Sequence, residues 1–198
     1  VSSLRLNEIP YPLEWSPEPV SWGYQDGVLQ AVTGPQTDLF IDPLGKVEVY
    51  NAPKLLFGPE GDFLLSSRVK VGFEGTYDAG VLAVYQHQTS WAKLCLEMSP
   101  QGQPMVVSVV TKETSDDCNS VPVAGDQIYL RLARTGGALA FHYSLDASFW
   151  HMVRLFRLEP GPAKAGFLVQ APVGEGCAVE FSEIRLEART LRDVRSGE

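Results

Sequence analysis

The run SWAKLCLEM, Ser90–Met98, places Lys93 and Glu97 inside a stretch that otherwise reads as protein interior. Alternate side chains of a strand share a face. Trp91, Lys93, Cys95 and Glu97 therefore lie on one side, and Ala92, Leu94, Leu96 and Met98 on the other. A face that mixes an aromatic ring, an ammonium and a carboxylate is either wet and structurally paired, or it lines a groove. The second alternative suits a sugar, because a ring stacks on the apolar side of a pyranose while polar groups read its hydroxyls. Lys93 and Glu97 sit about 13 Å apart along a strand, so each needs a partner other than the other.

The same alternation recurs in QIYLRLAR, where Tyr129 and Arg131 share a face, and in ALAFHYS, where His142 opposes Phe141 and Tyr143. If neighbouring strands align their polar sets, one sheet face displays Lys93, Glu97, Tyr129, Arg131 and His142 beside Trp91. The plainer alternatives are core packing for Trp91 and Trp150, a structural role for His142, and turn fixing for Asp78 and Asp146 through backbone hydrogen bonds.

Signatures of covalent chemistry are sparse. Glu180, Glu183 and Glu187 fall in EFSEIRLE, but Glu183 and Glu187 share a strand face at a spacing too wide for the paired carboxylates of a glycosidase. A hydrolase or lyase reading instead requires Glu97, Asp78 and His142 to meet in space. No GxSxG is present, His87, His142 and His151 form no HExxH, and the glycine-rich turns lack a phosphate-loop lysine. No metal site and no cofactor are expected.

The elements that must position these residues are strands. Turn signals such as GPQTD, GPEGD, SPQGQP, TGG and PVGEG separate short period-two runs at 27–32, 62–73, 77–86, 90–98, 105–111, 127–134, 138–145, 149–158, 163–171 and 177–188. The run at 149–158 also fits a helical period; its neighbours favour strand. So many antiparallel strands bury their apolar faces by stacking two sheets. The expectation is an all-β, two-sheet antiparallel sandwich spanning 1–188, followed by a polar tail at 189–198 that frays.

The 198 residues suffice for one domain with a sizeable core, and 44% are hydrophobic. The formal net charge is −8, with 6 basic against 12 acidic residues up to Ser99 and 10 against 12 after it. No basic region hides behind that average, which argues against nucleic-acid and anionic-membrane partners. Cys95, Cys118 and Cys177 form no CxxC pair, so a reducing, cytoplasmic setting is expected. No secretion signal and no membrane-length apolar run is read.

The runs YDAGVLAVYQHQTSWAKLCLEMSPQGQPMVVSVVTKETSDD and YLRLARTGGALAFHYSLDASFWHMVRLF resemble the family named as domain of unknown function 1349. The upstream TDLFIDP and the closing AGFLVQAPVGEGCAVEFSEIRLE are similar to its early and final segments. The resemblance implies a concanavalin A-like jelly roll with a concave face and no settled activity. It adds Thr111 and Asp116 to the ligand-binding candidates Trp91, Lys93, Glu97, Tyr129, Arg131, His142 and Asp78. It marks Asp38, Asp146, Trp150 and Arg154 as turn or scaffold positions. The chain departs from the pattern where Asp117 replaces an expected aromatic and Ala147 replaces a glycine. The function expected is a noncatalytic, lectin-like module for a saccharide or small polar metabolite. A regulatory protein docking a metabolic enzyme is the alternative, suggested by similarity to a yeast protein described as a regulator of enolase. A sugar hydrolase or lyase is the third reading.

Overall fold

Each period-two run becomes a strand in the computed structural model, which describes residues 4–198. Residues 1–3, where the expected domain begins, lie outside the described residues. The strands are β1 (Glu14–Trp15), β2 (Ser21–Gln25), β3 (Val28–Thr33), β4 (Phe40–Ile41), β5 (Glu48–Val49), β6 (Lys54–Phe57), β7 (Phe63–Gly72) and β8 (Ala79–His87). They continue as β9 (Ser90–Met98), β10 (Pro104–Lys112), β11 (Thr114–Pro122), β12 (Gln127–Thr135), β13 (Ala138–Ser144), β14 (His151–Phe156), β15 (Lys164–Gln170) and β16 (Cys177–Glu187). No helix among the described residues is long and apolar enough to cross a membrane.

Two antiparallel sheets of seven strands form the sandwich. One runs β1-β6-β15-β8-β9-β10-β11, the other β14-β13-β12-β7-β16-β3-β2, and β4-β5 make a separate hairpin. The hairpin turns carry their own chemistry. Asp26–Gly27 and Gly136–Gly137 have φ of 52°, 78°, 56° and 80°. Two successive left-handed residues match the twist of the strands they join, and asparagine, aspartate and glycine tolerate them best. Ala147, where the sequence lacks the expected glycine, also adopts a left-handed φ of 62°.

The inner faces meet in one apolar core. Leu82, Leu94, Leu96 and Phe167 of the first sheet pack with Leu65, Leu130, Phe141 and Phe181 of the second. The Phe167 and Phe181 rings lie 4.9 Å apart. At Gly80 the sheets approach so closely that a Cβ would stand 2.5 Å from a Val69 methyl and 2.6 Å from a Val179 methyl.

Both outer faces are partly covered by chain. On the first sheet, the segment Leu39–Ala52, which includes β4 and β5, forms a flap over Val81, Trp91, Cys95 and Leu168. On the second, residues 189–198 form a strap rather than a frayed tail. Leu191 packs on Leu64, Ala133 and Ala140. His142 Nε2 lies 2.7 Å from the Val194 carbonyl, and Arg131 Nη2 donates to the Gly197 carbonyl at 2.9 Å. Leu191, with Val194 packed beside it, supplies the apolar anchor of a mostly polar segment.

Candidate functional site

The sandwich divides the expected ligand residues between its two sheets. Alternation fixes which side chains share a face of a strand, but not which sheet the strand joins. The chain crosses from β11 in one sheet to β12 in the other, so Tyr129, Arg131 and His142 cannot join Lys93 and Glu97 on one surface. Arg131 instead stacks on Trp150, 4.2 Å from its ring centre, and holds the strap. His142 is buried beneath that strap, where burial pulls its pKa down to about 4. Tyr129 donates to Glu183 at 3.0 Å, also on the second sheet. The expected meeting of Glu97, Asp78 and His142 is likewise ruled out.

Others occupy structural positions. Trp91 is fully buried and donates its indole N–H to the Gln88 carbonyl at 3.2 Å, so it offers no face to a sugar. Asp78 is buried and accepts the Glu74 and Gly75 amides at 2.9 and 2.7 Å, closing the turn before β8. Thr111 is buried against the Ser115 hydroxyl at 2.9 Å, and that hydroxyl accepts the Ile41 amide at 2.9 Å. Together they tie the flap to the β10–β11 hairpin. Asp116 and Arg154 pair at 2.7 Å, linking β11 to β14 across the edge of the sandwich. Asp146 accepts the Ser148 and Phe149 amides at 2.8 and 3.1 Å.

Lys93 and Glu97 do meet a cleft. Register sets it: Lys93 lies opposite Val109, and Val109 opposite Asp117, while Glu97 lies opposite Ala79, and Ala79 opposite Gln170. The polar side chains of β9, β11 and β15 thus gather beside the flap. The cavity holds about 350 Å³ and is lined by Lys93, Glu97, Asp117, Gln170, Asp38 and Tyr77, with Phe40, Asp42, Val47, Val109, Pro172 and Val173 completing its wall.

Lys93 is almost wholly buried. Its ammonium donates to Gln170 Oε1 at 2.9 Å and pairs with Asp38 Oδ1 at 3.3 Å, which also accepts the Leu39 amide at 2.7 Å. An ammonium has three N–H donors, so one N–H finds no oxygen acceptor among the described residues. Burial works against the charge on Lys93, but Asp38 and Glu97 outweigh it and hold the pKa up. Glu97 is half-buried at the cleft, and no described residue donates a hydrogen bond to it. Loss of water, opposed by Lys93 and reinforced by Asp117 and Asp38, pushes its pKa up to about 8. At neutral pH it is therefore mostly a protonated acid, a donor as well as an acceptor. Asp117 is more exposed, and desolvation raises its pKa as well.

Asp38, expected only as a turn residue, both shapes the flap and anchors Lys93. Asp117, Gln170 and Tyr77 were not expected at the site. Asp117 belongs to TSDDCNSVP, too polar to read as a strand. Gln170 did carry a signal: it breaks the apolar run of β15 at the end facing β8.

The fold and cleft define a concanavalin A-like jelly roll with a polar outer-face site. The chain belongs to the family described as "Protein of unknown function (DUF1349)", which matches residues 15–189. A functionally unknown protein from Saccharomyces cerevisiae is similar at a TM-score of 0.84 and 25% identity, over 90% of this chain and 97% of that one. That description carries no link to enolase regulation. A GH43 protein from Bacillus licheniformis is similar at 0.72 and 13% identity, over 89% of this chain but 37% of its own length. An alginate lyase from Klebsiella pneumoniae is similar at 0.57 and 10% identity, over 84% of this chain and 83% of its own. At such identities these enzymes share the fold alone. No curated protein matches the chain.

Proposed function

We propose that the cleft beside the flap is a noncatalytic, lectin-like site for a small polyhydroxylated ligand, a saccharide or a polar metabolite. The observation that carries this reading is the buried Lys93 ammonium, held by Gln170 and Asp38 with one N–H left over, in a cleft it lines together with Glu97 and Asp117. A hydroxyl group is both donor and acceptor. Its oxygen suits the Lys93 N–H, and its proton suits the Asp117 carboxylate. Phe40, Val109, Pro172 and the exposed Tyr77 offer apolar surface for the ring carbons. Lys93 is already fixed by Asp38 and Gln170, so little side-chain freedom is lost on binding.

Titration calorimetry against simple hexoses, pentoses and their oligomers tests the reading. Saturable binding is expected, weakened at least about tenfold, or about 1.4 kcal/mol, in Asp117→Asn and Tyr77→Ala, both at accessible positions. Absence of saturable binding by the folded protein, or binding unchanged in both variants, would overturn it.

One observation favours a second reading, a sugar hydrolase or lyase. Glu97 holds a proton near neutral pH beside Asp117, as a general acid must. Turnover of aryl glycosides or uronate polymers lost in Glu97→Gln would establish it; no turnover in the natural chain would remove it.

A further inference from the structure

We propose that the ligand of this cleft carries a protonated amine on its polyol frame, an amino sugar rather than a neutral or uronic sugar. The inference rests on the binding reading above and narrows it. Four carboxyl groups, Asp38, Asp42, Glu97 and Asp117, line the cavity against one ammonium, Lys93. Asp38 answers that ammonium directly. Asp42 is engaged by the flap, accepting the Leu44 and Lys46 amides at 2.9 and 3.2 Å. Glu97 and Asp117 have no cation paired with them at contact distance among the described residues. A uronate would bring another negative charge to a wall already rich in them, and like charges repel across so short a span. A protonated amine would meet two carboxyl groups that lack a partner.

The shape of the site decides between organic and inorganic cations. No three acidic, histidine or cysteine side chains among the described residues converge closely enough to hold a metal ion. The acids stand around a cavity of about 350 Å³ rather than about a point. The Lys93 ammonium on the same wall repels a bare cation and donates to a hydroxyl oxygen, so charge and hydroxyl must belong to one molecule. Arrival of the amine also drives the proton off Glu97, because a cation nearby favours the carboxylate.

The test is calorimetry of the full chain at pH 6.5 to 7 with three matched ligands: glucosamine, glucose and glucuronate. Glucosamine is expected to bind at least about tenfold tighter than glucose, and glucuronate weakest. The glucosamine enthalpy should differ between phosphate and MOPS buffers, whose ionisation enthalpies differ, which reports proton release. In Glu97→Gln that buffer dependence should vanish and the preference for the amine should shrink. Glucose or glucuronate binding as tightly as glucosamine would overturn the inference while leaving the binding site standing. Ethylamine binding as tightly as glucosamine would overturn it too, since the hydroxyls would then add nothing. Failure of all three sugars to bind would remove this inference together with the reading beneath it.

Discussion

Glu97 is the residue whose protonation the fold most visibly alters among the groups lining the cleft. In an unfolded chain it titrates near 4.5, and in the cleft near 8. A carboxyl group whose pKa rises on folding binds its proton more tightly in the native state. Its contribution is complete below the unfolded pKa and is lost as pH rises through the folded one. The natural chain is therefore expected to lose stability between pH 4.5 and 8 relative to Glu97→Gln. The slope should not exceed about 1.4 kcal/mol per pH unit, the limit for one proton. Urea midpoints of both proteins across that range check it; parallel curves would contradict the buried proton. At this scale the sequence disclosed the anomaly but not its resolution. Lys93 and Glu97 stand out as charges in an apolar strand and Gln170 as a polar break in another, but their meeting with Asp117 in one cleft follows only from register, which links residues more than twenty positions apart.

Among the elements, the strap at 189–198 is the one whose role departs most from its composition. It is held by a buried apolar anchor, Leu191, with Val194 packed beside it, and by two buried polar groups, Arg131 and His142. Leu191→Ala is expected to cost about 2 kcal/mol, the low end for a buried leucine, because the site lies at the periphery. Acid should loosen the same element. Burial lowers the pKa of His142 to about 4. Its neutral form is thus favoured in the fold, and stability present above pH 6.5 is lost as pH falls towards 4. Protection factors of the amides in 191–197, taken relative to intrinsic exchange at each pH, should fall over that window in the natural chain and already be low in Leu191→Ala. The strands with alternating pattern and turn signals were legible almost to the residue, as Ser90–Met98 illustrates. β11 was not, because an edge strand facing solvent is free to carry Asp116, Asp117 and Asn119. Nor was β6, whose four residues are all buried and so show no alternation.

The whole molecule depends on how closely its two sheets can stack. At Gly80 the facing Val69 and Val179 leave no room for a side chain. Gly80→Ala is expected to force those valines aside and cost roughly 1–3 kcal/mol, the usual range for overpacking, measured as a lowered urea midpoint with an unchanged slope. A two-sheet sandwich could be inferred from the number and spacing of strands. The allocation of strands to sheets could not, since it follows from long-range pairing such as β7 with β16, whose partners Val71 and Val179 stand over a hundred residues apart. The Arg154–Asp116 pair has a consequence at this scale. β11 and β14 are the outermost strands of opposite sheets on one flank, and a bare strand edge is a template for foreign strands. With Asp116 and Asp117 on β11 and Arg154 reaching across from β14, that flank presents charge to any incoming chain. Its worth is measured less in folding free energy than in keeping copies of the protein from joining edge to edge at high concentration.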